Sequence, residues 1–273
     1  LYALMQAGPD TTVDDCLLPG ALARRLLEPL AISALNTDCA TGSAALMGAV
    51  IKQSLSLGGA ACIPFHARDG LSETFVDPAL AHLRAVRAEI RTQSRMTGIE
   101  TAQGRVTALR TAEGDIPLDA EDHVIVATPA PVTRSLLENH LHGLVAPTAF
   151  ESILNLHFRL DTPPQPTGSF ARCGFIGVIG GIAEWVFLRG SVLSVTVSAA
   201  NRHAERDPEE LARAIWREVR RTCDPTLLTP LPATPAEQRI VWEKRATFAA
   251  TPEQNRLRPG PATALANLAL AGD

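Results

Sequence analysis

Aromatic side chains make up only 4% of the 273 residues, and Tyr2 is the one tyrosine. Lysine is scarcer still: Lys52 and Lys244 stand alone among basic residues that are otherwise scattered arginines. Arginine and lysine total 25 against 29 acidic residues, a net charge of −4, so the basic excess that nucleic-acid binders use to neutralise phosphates is missing. Five cysteines (Cys16, Cys39, Cys62, Cys173, Cys223) are odd in number, far apart and never spaced Cys-x-x-Cys. That excludes a zinc ribbon or thioredoxin motif and fits a reducing compartment. No apolar run reaches the roughly 18 residues of a membrane-spanning helix. G-x-G-x-x-G, G-x-x-x-x-G-K-[ST], H-E-x-x-H and G-x-S-x-G are all absent, so no phosphate loop, zincin or nucleophile-elbow chemistry is written in the chain. His140-x-His142 lacks a third ligand and reads as a solvated pair, and no metal is expected.

What is present is a globular composition, 46% hydrophobic, ample for one large core or two. Residues 1–58 read as helical: Leu22, Leu26, Leu27, Leu30 and Leu35 recur at the mixed three-and-four spacing of a buried helix face. Ser43 can cap a helix running through Leu46 and Val50 to a stop at Gly58-Gly59, and Asp77-Pro78 reads as an N-cap with proline in the first turn. Leu80 and Leu83 then share a face. From Glu89 the texture changes. Turn signals at Gln103-Gly104 and Glu113-Gly114 predict a three-stranded antiparallel meander over about 95–118. Val124-Ile125-Val126-Ala127 has no alternation, which predicts a strand covered on both faces as in parallel sheets, followed by a helix to about Glu138. Antiparallel strands are expected around Ile153–Phe158, Trp185–Phe187, Val192–Val197 and Ile240–Phe248. Asp207-Pro208 opens a helix whose stripe is Leu211, Ile215 and Val219. Leu268–Ala271 is the last strand.

Gly174, Gly177 and Gly180 read as strand and turn glycines beside a close backbone neighbour. Cys173 and Cys223 read as inert buried thiols. The segment Gly272-Asp273 places a carboxylate just past a strand's carboxyl end, where α/β sheets bind ligands, although a structural turn explains such a pair more often. The chain opens at Leu1 inside a helical pattern and closes at that aspartate. The expectation is a piece of a longer protein, not active by itself.

Together, the segment from Gly70-Leu71-Ser72 to Thr128-Pro129 and the terminal Leu268–Asp273 resemble the later cofactor-domain elements of the flavin-dependent amine oxidase and carotenoid desaturase superfamily. A narrower likeness rests on Glu28-Pro29-Leu30 with Ala34-Leu35-Asn36-Thr37, on Gly70-Leu71-Ser72, on Trp185-Val186-Phe187, and on Glu243-Lys244-Arg245-Ala246-Thr247-Phe248. These blocks, in order along the whole chain, resemble the squalene-associated FAD-dependent desaturases of bacterial hopanoid synthesis. Pro64–Asp69 departs from that pattern, and the N-terminal dinucleotide fingerprint is not in the chain.

The resemblance implies an α/β (α+β) architecture: the later half of a split FAD-binding Rossmann-like domain with a mixed helical and antiparallel-sheet substrate domain. It would divide the chain into 1–65 and 141–250 for substrate, and 66–140 and 251–273 for FAD. It implies FAD as cofactor, an apolar isoprenoid as substrate, and reductive removal of a hydroxyl from hydroxysqualene. The alternatives are a carotenoid-type desaturase, an amine oxidase, or a non-catalytic lipid-binding fragment. It places the Met96 backbone at the adenine, Ala127, Thr128 and Pro129 beside the cofactor, and Gly272 and Asp273 at the ribityl or pyrophosphate region. Glu28, Pro29, Asn36 and Trp185 would line the substrate cavity. Each of these has a plain structural reading beside it: a buried strand residue for Met96, a sheet end for Ala127–Pro129, an ion pair with Arg24 or Arg25 for Glu28, a helix C-cap for Asn36, and core for Trp185. No catalytic side chain is singled out. A membrane-dwelling substrate implies a cytoplasmic protein in peripheral contact with the inner membrane face, with Leu55–Phe65 one candidate surface, though a run of this kind is more often buried.

Overall fold

The computed structural model describes residues 1–67 and 69–272. In chain order the elements are α1 (Tyr2–Met5), α2 (Val13–Cys16), α3 (Glu28–Leu35), α4 (Ala44–Gln53), α5 (Asp77–Ala85), β1 (Met96–Ala102), β2 (Arg105–Thr111), β3 (Gly114–Pro117), β4 (Val124–Val126), α6 (Ala130–Leu137), β5 (Phe150–Arg159), α7 (Gly168–Cys173), β6 (Phe175–Gly177), β7 (Trp185–Arg189), β8 (Val192–Val197), α8 (Pro208–Cys223), β9 (Glu237–Phe248), α9 (Pro252–Arg256) and β10 (Leu268–Leu270). Two compact units emerge, each from discontinuous segments: Leu1–Thr74 with Phe150–Pro252, and Phe75–Ala149 with Glu253–Asp273. The crossings fall up to nine residues later than the expected 65/66, 140/141 and 250/251, because 66–74 and 141–149 each stay with the segment before them.

In the first unit a five-stranded antiparallel sheet runs β6-β7-β8-β5-β9. Alternation along β5 turns Leu154, Leu156 and Phe158 inward, and the same alternation in β8 turns in Leu193, Val195 and Val197. Helix α8 lays Leu211, Ile215, Trp216 and Val219 on this face, with the Phe158 and Trp216 rings 4.9 Å apart. Asp207 caps α8 as expected, its carboxylate accepting from the Glu210 N–H at 2.8 Å.

A second core in the same unit gathers Leu4, Ala31, Leu35, Met47 and Ile51 from the N-terminal helices with Phe248 of β9. Helix α1 crosses α4 so closely that a Cβ on Gly48 would sit 2.3 Å from the Leu4 carbonyl oxygen, so only glycine fits there. The buried stripe is Ala23, Leu27, Ala31 and Leu35, at a strict spacing of four, whereas Leu22 and Leu26 are exposed. A π turn over Ala23–Leu27 leads into α3, whose second residue is Pro29, and another over Ser72–Val76 leads into α5, whose second residue is Pro78. A proline lacks the N–H and crowds the preceding turn, and a widened turn relieves both. Asp77 is therefore inside a helix and not its N-cap. No residue of α5 is buried, so Leu80 and Leu83 form no core face among the described residues.

Strand β6 ends at Gly177, in keeping with the strand reading of that glycine, whereas helix α7 has no counterpart in the sequence reading. Both are short, and Gly174 caps α7 in the left-handed conformation. The close neighbour of Gly177 is the Trp185 ring and not a backbone. The run Leu55–Phe65 is not buried: Leu57 and Ile63 are exposed and Phe65 is 99% exposed.

The second unit holds the meander β1-β2-β3, antiparallel as its turns predict, and a parallel pair, β4 with β10. Its core is Ile99, Val106, Val124, Val126, Leu137 and Leu268. Strand β4 buries Val124 and Val126 on one face only. Ile125 is 69% exposed, so the expected two-sided burial is not seen among the described residues, where β4 pairs with one strand alone.

Burial also sorts the thiols. It pushes Cys39 and Cys223 up to about 12, whereas Cys62 and Cys173 are exposed, Cys173 against expectation because it ends α7 at the surface. In native protein iodoacetamide is expected to label Cys62 and Cys173 and to spare Cys39 and Cys223, and denaturation should open all five. Mass spectrometry of the labelled peptides checks this.

Candidate functional site

The carboxyl ends of β4 and β10 lie side by side. The Ala271 N–H donates to the Val126 carbonyl at 2.9 Å, and a Cβ on Gly272 would stand 2.3 Å from the Thr128 carbonyl oxygen. Beyond β4, Ala127-Thr128-Pro129 turns into α6, which Pro129 precedes as N-cap. The Thr133 hydroxyl donates to the Thr128 carbonyl at 3.0 Å and fixes that turn. A slot of about 50 Å³ opens here between Thr128, Ala130, Thr133, Leu270 and Gly272. Of the expected cofactor residues, Ala127, Thr128, Pro129 and Gly272 are thus brought together. Met96 starts β1, an edge strand of the same unit. Asp273 lies outside the described residues.

Asn267 ties these parts together, and no motif in the sequence points to it. It is 2% exposed. Its Oδ1 accepts from the Val106 N–H at 2.8 Å, and its Nδ2 donates to the carbonyls of Val106 at 3.0 Å and Asp122 at 3.1 Å. Its only sequence signal is an amide immediately before an apolar strand.

In the first unit Pro29 and Trp185 line a cavity of about 200 Å³ together with Leu26, Leu30, Val178 and Ile179. The Trp185 indole N–H donates to the Ser33 hydroxyl at 3.0 Å, which anchors the ring to α3. Ser33 follows Pro29 by four residues, one turn along the same face, and that spacing could have revealed it. Glu184 at the rim is already engaged: it accepts from the Ser198 N–H at 2.8 Å and from Arg202 at 3.0 Å. Glu28 is half-buried and forms no ion pair with Arg24 or Arg25 among the described residues, whose side chains are exposed. His66 carries no sequence signal either. It stacks on Phe187 at 5.4 Å, and its Nε2 is buried with no hydrogen-bond partner.

Asn36 is the C-cap of α3, at φ 48°, and is 4% exposed. Its Nδ2 donates to the Thr247 hydroxyl at 2.9 Å and its Oδ1 accepts from the Ala199 N–H at 2.7 Å. The Thr37 hydroxyl accepts from the Ala250 N–H at 2.9 Å. The Ala34–Thr37 and Glu243–Phe248 blocks therefore bond to one another.

Glu151 pairs across from Thr247, and its Oε2 is buried without a partner. Burial first, and then the Asp38 charge, push its carboxyl above the ordinary value of 4.5. A raised folded value means that ionisation opposes folding: the cost is full above the folded value and vanishes below 4.5. Glu151→Gln is therefore expected to stabilise the chain at neutral pH, by less than about 1 kcal/mol after solvent screening. The gain should disappear as the pH falls past the unfolded value, and urea melts across pH check it.

A split unit whose two parallel strands end in a closely fitted turn, joined in sequence to a unit built on an antiparallel sheet with an apolar cavity, defines a mixed α/β protein of two units. Residues 17–273 match the family described as flavin containing amine oxidoreductase, and the chain belongs to that family. It is 39% identical over its whole length to a hydroxysqualene dehydroxylase of Sinorhizobium fredii, covering 62% of that protein. It is 41% identical over 93% of its length to one from Rhodopseudomonas palustris, covering 57% of it. The chain thus spans about three-fifths of the curated relatives it matches. Among solved structures, an oxidoreductase from Methanosarcina mazei shares the fold, with a TM-score of 0.67 at 12% identity, over 100% of this chain and 65% of that one.

Proposed function

We propose that this chain forms part of an FAD-dependent hydroxysqualene dehydroxylase, which reductively removes a hydroxyl from hydroxysqualene to give squalene. The observation that carries the reading is the likeness, along the whole chain, to relatives bearing that name. The aliphatic walls around Pro29 and Trp185 suit an isoprenoid without a charged handle.

The strand ends offer one edge to a dinucleotide: glycine lets the backbone at Gly272 close on the Thr128 carbonyl, and the amino end of α6 favours an anionic group. In this reading Ala127, Thr128, Pro129 and Gly272 hold that edge, the Met96 backbone meets the adenine, and Asp273 bonds the ribityl or pyrophosphate region. FAD supplies, when reduced, the hydride that replaces the departing hydroxyl. Pro29 and Trp185 orient the chain of the substrate, and Ser33 holds Trp185 in place. We assign the unit of residues 75–149 and 253–273 to the cofactor and the other unit to the substrate. The exposed Leu57, Ile63 and Phe65 are our candidates for peripheral contact with the inner membrane face, from the cytoplasmic side.

The test is the full-length protein: bound flavin in its visible spectrum, and squalene made from hydroxysqualene with a reductant. Absence of flavin, or turnover of a carotene or an amine instead, would overturn the proposal. Gly272→Ala in that protein should part the strand ends and lower retained flavin severalfold, measured as visible flavin absorbance relative to protein absorbance.

A further inference from the structure

We propose that a groove beside α8 binds a phosphate-bearing molecule. Arg213, Arg217 and Arg220 follow one another by four and three residues, which places them on one face of the helix. With Trp216, Thr234 and Gln238 they line a cavity of about 590 Å³. The Trp216 indole N–H donates to the Ala233 carbonyl at 3.0 Å and so sets the far wall against the helix.

Of the three arginines only Arg213 has an acidic partner among the described residues. Glu237 accepts from the Arg159 guanidinium at 3.0 Å, and Glu209 meets only Arg213, at 3.5 Å in an exposed pair. Arg217 and Arg220 form no ion pair among the described residues, and the Nε of Arg220 is buried with no hydrogen-bond partner. A shielded donor without an acceptor is unusual in a folded protein. The helix dipole explains basic residues in the last turn, Arg220 and Arg221, and does not reach Arg213.

Guanidinium forks match phosphate oxygens two at a time, and the Thr234 hydroxyl and Gln238 amide add donors. The volume lies within the range of about 300–1,000 Å³ for small-molecule sites, far more than inorganic phosphate fills. The organic remainder would lie on Pro235 and Ala236. A soluble phosphate ester and a phospholipid headgroup share this chemistry.

Calorimetry with inorganic pyrophosphate at low salt tests the inference. Submillimolar binding that weakens with salt is expected, and Arg217→Glu, a change at an exposed position, should weaken it at least about tenfold. Arg220→Gln should weaken it too, with circular dichroism confirming the fold of both. Phosphatidylglycerol vesicles, set against phosphatidylcholine, separate the sources: sedimentation that pyrophosphate competes away indicates a headgroup, and pyrophosphate binding alone indicates a soluble ester. No binding of either probe, or binding that Arg217→Glu leaves unchanged, overturns the proposal.

Discussion

Asn267→Ala is expected to destabilise the second unit by about 3 kcal/mol, because it orphans a buried donor and two carbonyls at once. The Val106 N–H loses its acceptor at 2.8 Å inside β2, with Asn267 itself 2% exposed, so water cannot readily replace it. The carbonyls of Val106 and Asp122 lose their donor. Such a loss is a large share of the roughly 5–15 kcal/mol that holds a typical domain together. Asn267→Asp keeps the acceptor for Val106 but sets carboxylate oxygens against two carbonyls, so it should be at least as harmful at neutral pH and recover on acidification, when the protonated acid can donate again. Hydrogen exchange of the β2 and β10 amides, with urea melts, measures both. Melts within about 0.5 kcal/mol of the parent would show that the amide is not the fastener its geometry suggests.

The same geometry explains what the sequence made legible. Asp207-Pro208 worked because an N-cap is a local device: carboxylate and N–H lie three residues apart. The meander worked because its turns are local as well. Asp77-Pro78 misled because a π turn already runs into the helix ahead of it, and nothing in the two-residue signal reports that. Ile125 misled because composition reveals an apolar strand but not which faces are covered. At the candidate site, the closeness of Gly272 to Thr128 was legible only through resemblance. Asn267 and Ser33 were missed because their partners, Val106 and Trp185, are 161 and 152 residues away in sequence.

Asn36→Ala carries the second large effect, and it separates two causes. Alanine dislikes the left-handed φ of 48°, a cost of about 1 kcal/mol that glycine avoids. Both variants lose the bond to Thr247 and, more seriously, the acceptor for the Ala199 N–H. Ala199 is itself left-handed, at φ 46°, and 1% exposed, so the Asn36 side chain holds a strained residue as well as ending α3. The expected cost is about 3–4 kcal/mol for Asn36→Ala and about 1 kcal/mol less for Asn36→Gly. Equal losses would remove the backbone share of the explanation, and a loss below about 1 kcal/mol would remove the hydrogen-bond share. Because α3 carries Pro29 and Ser33, a frayed end should also loosen the Trp185 wall, which the indole fluorescence of the folded variant would report as a red shift.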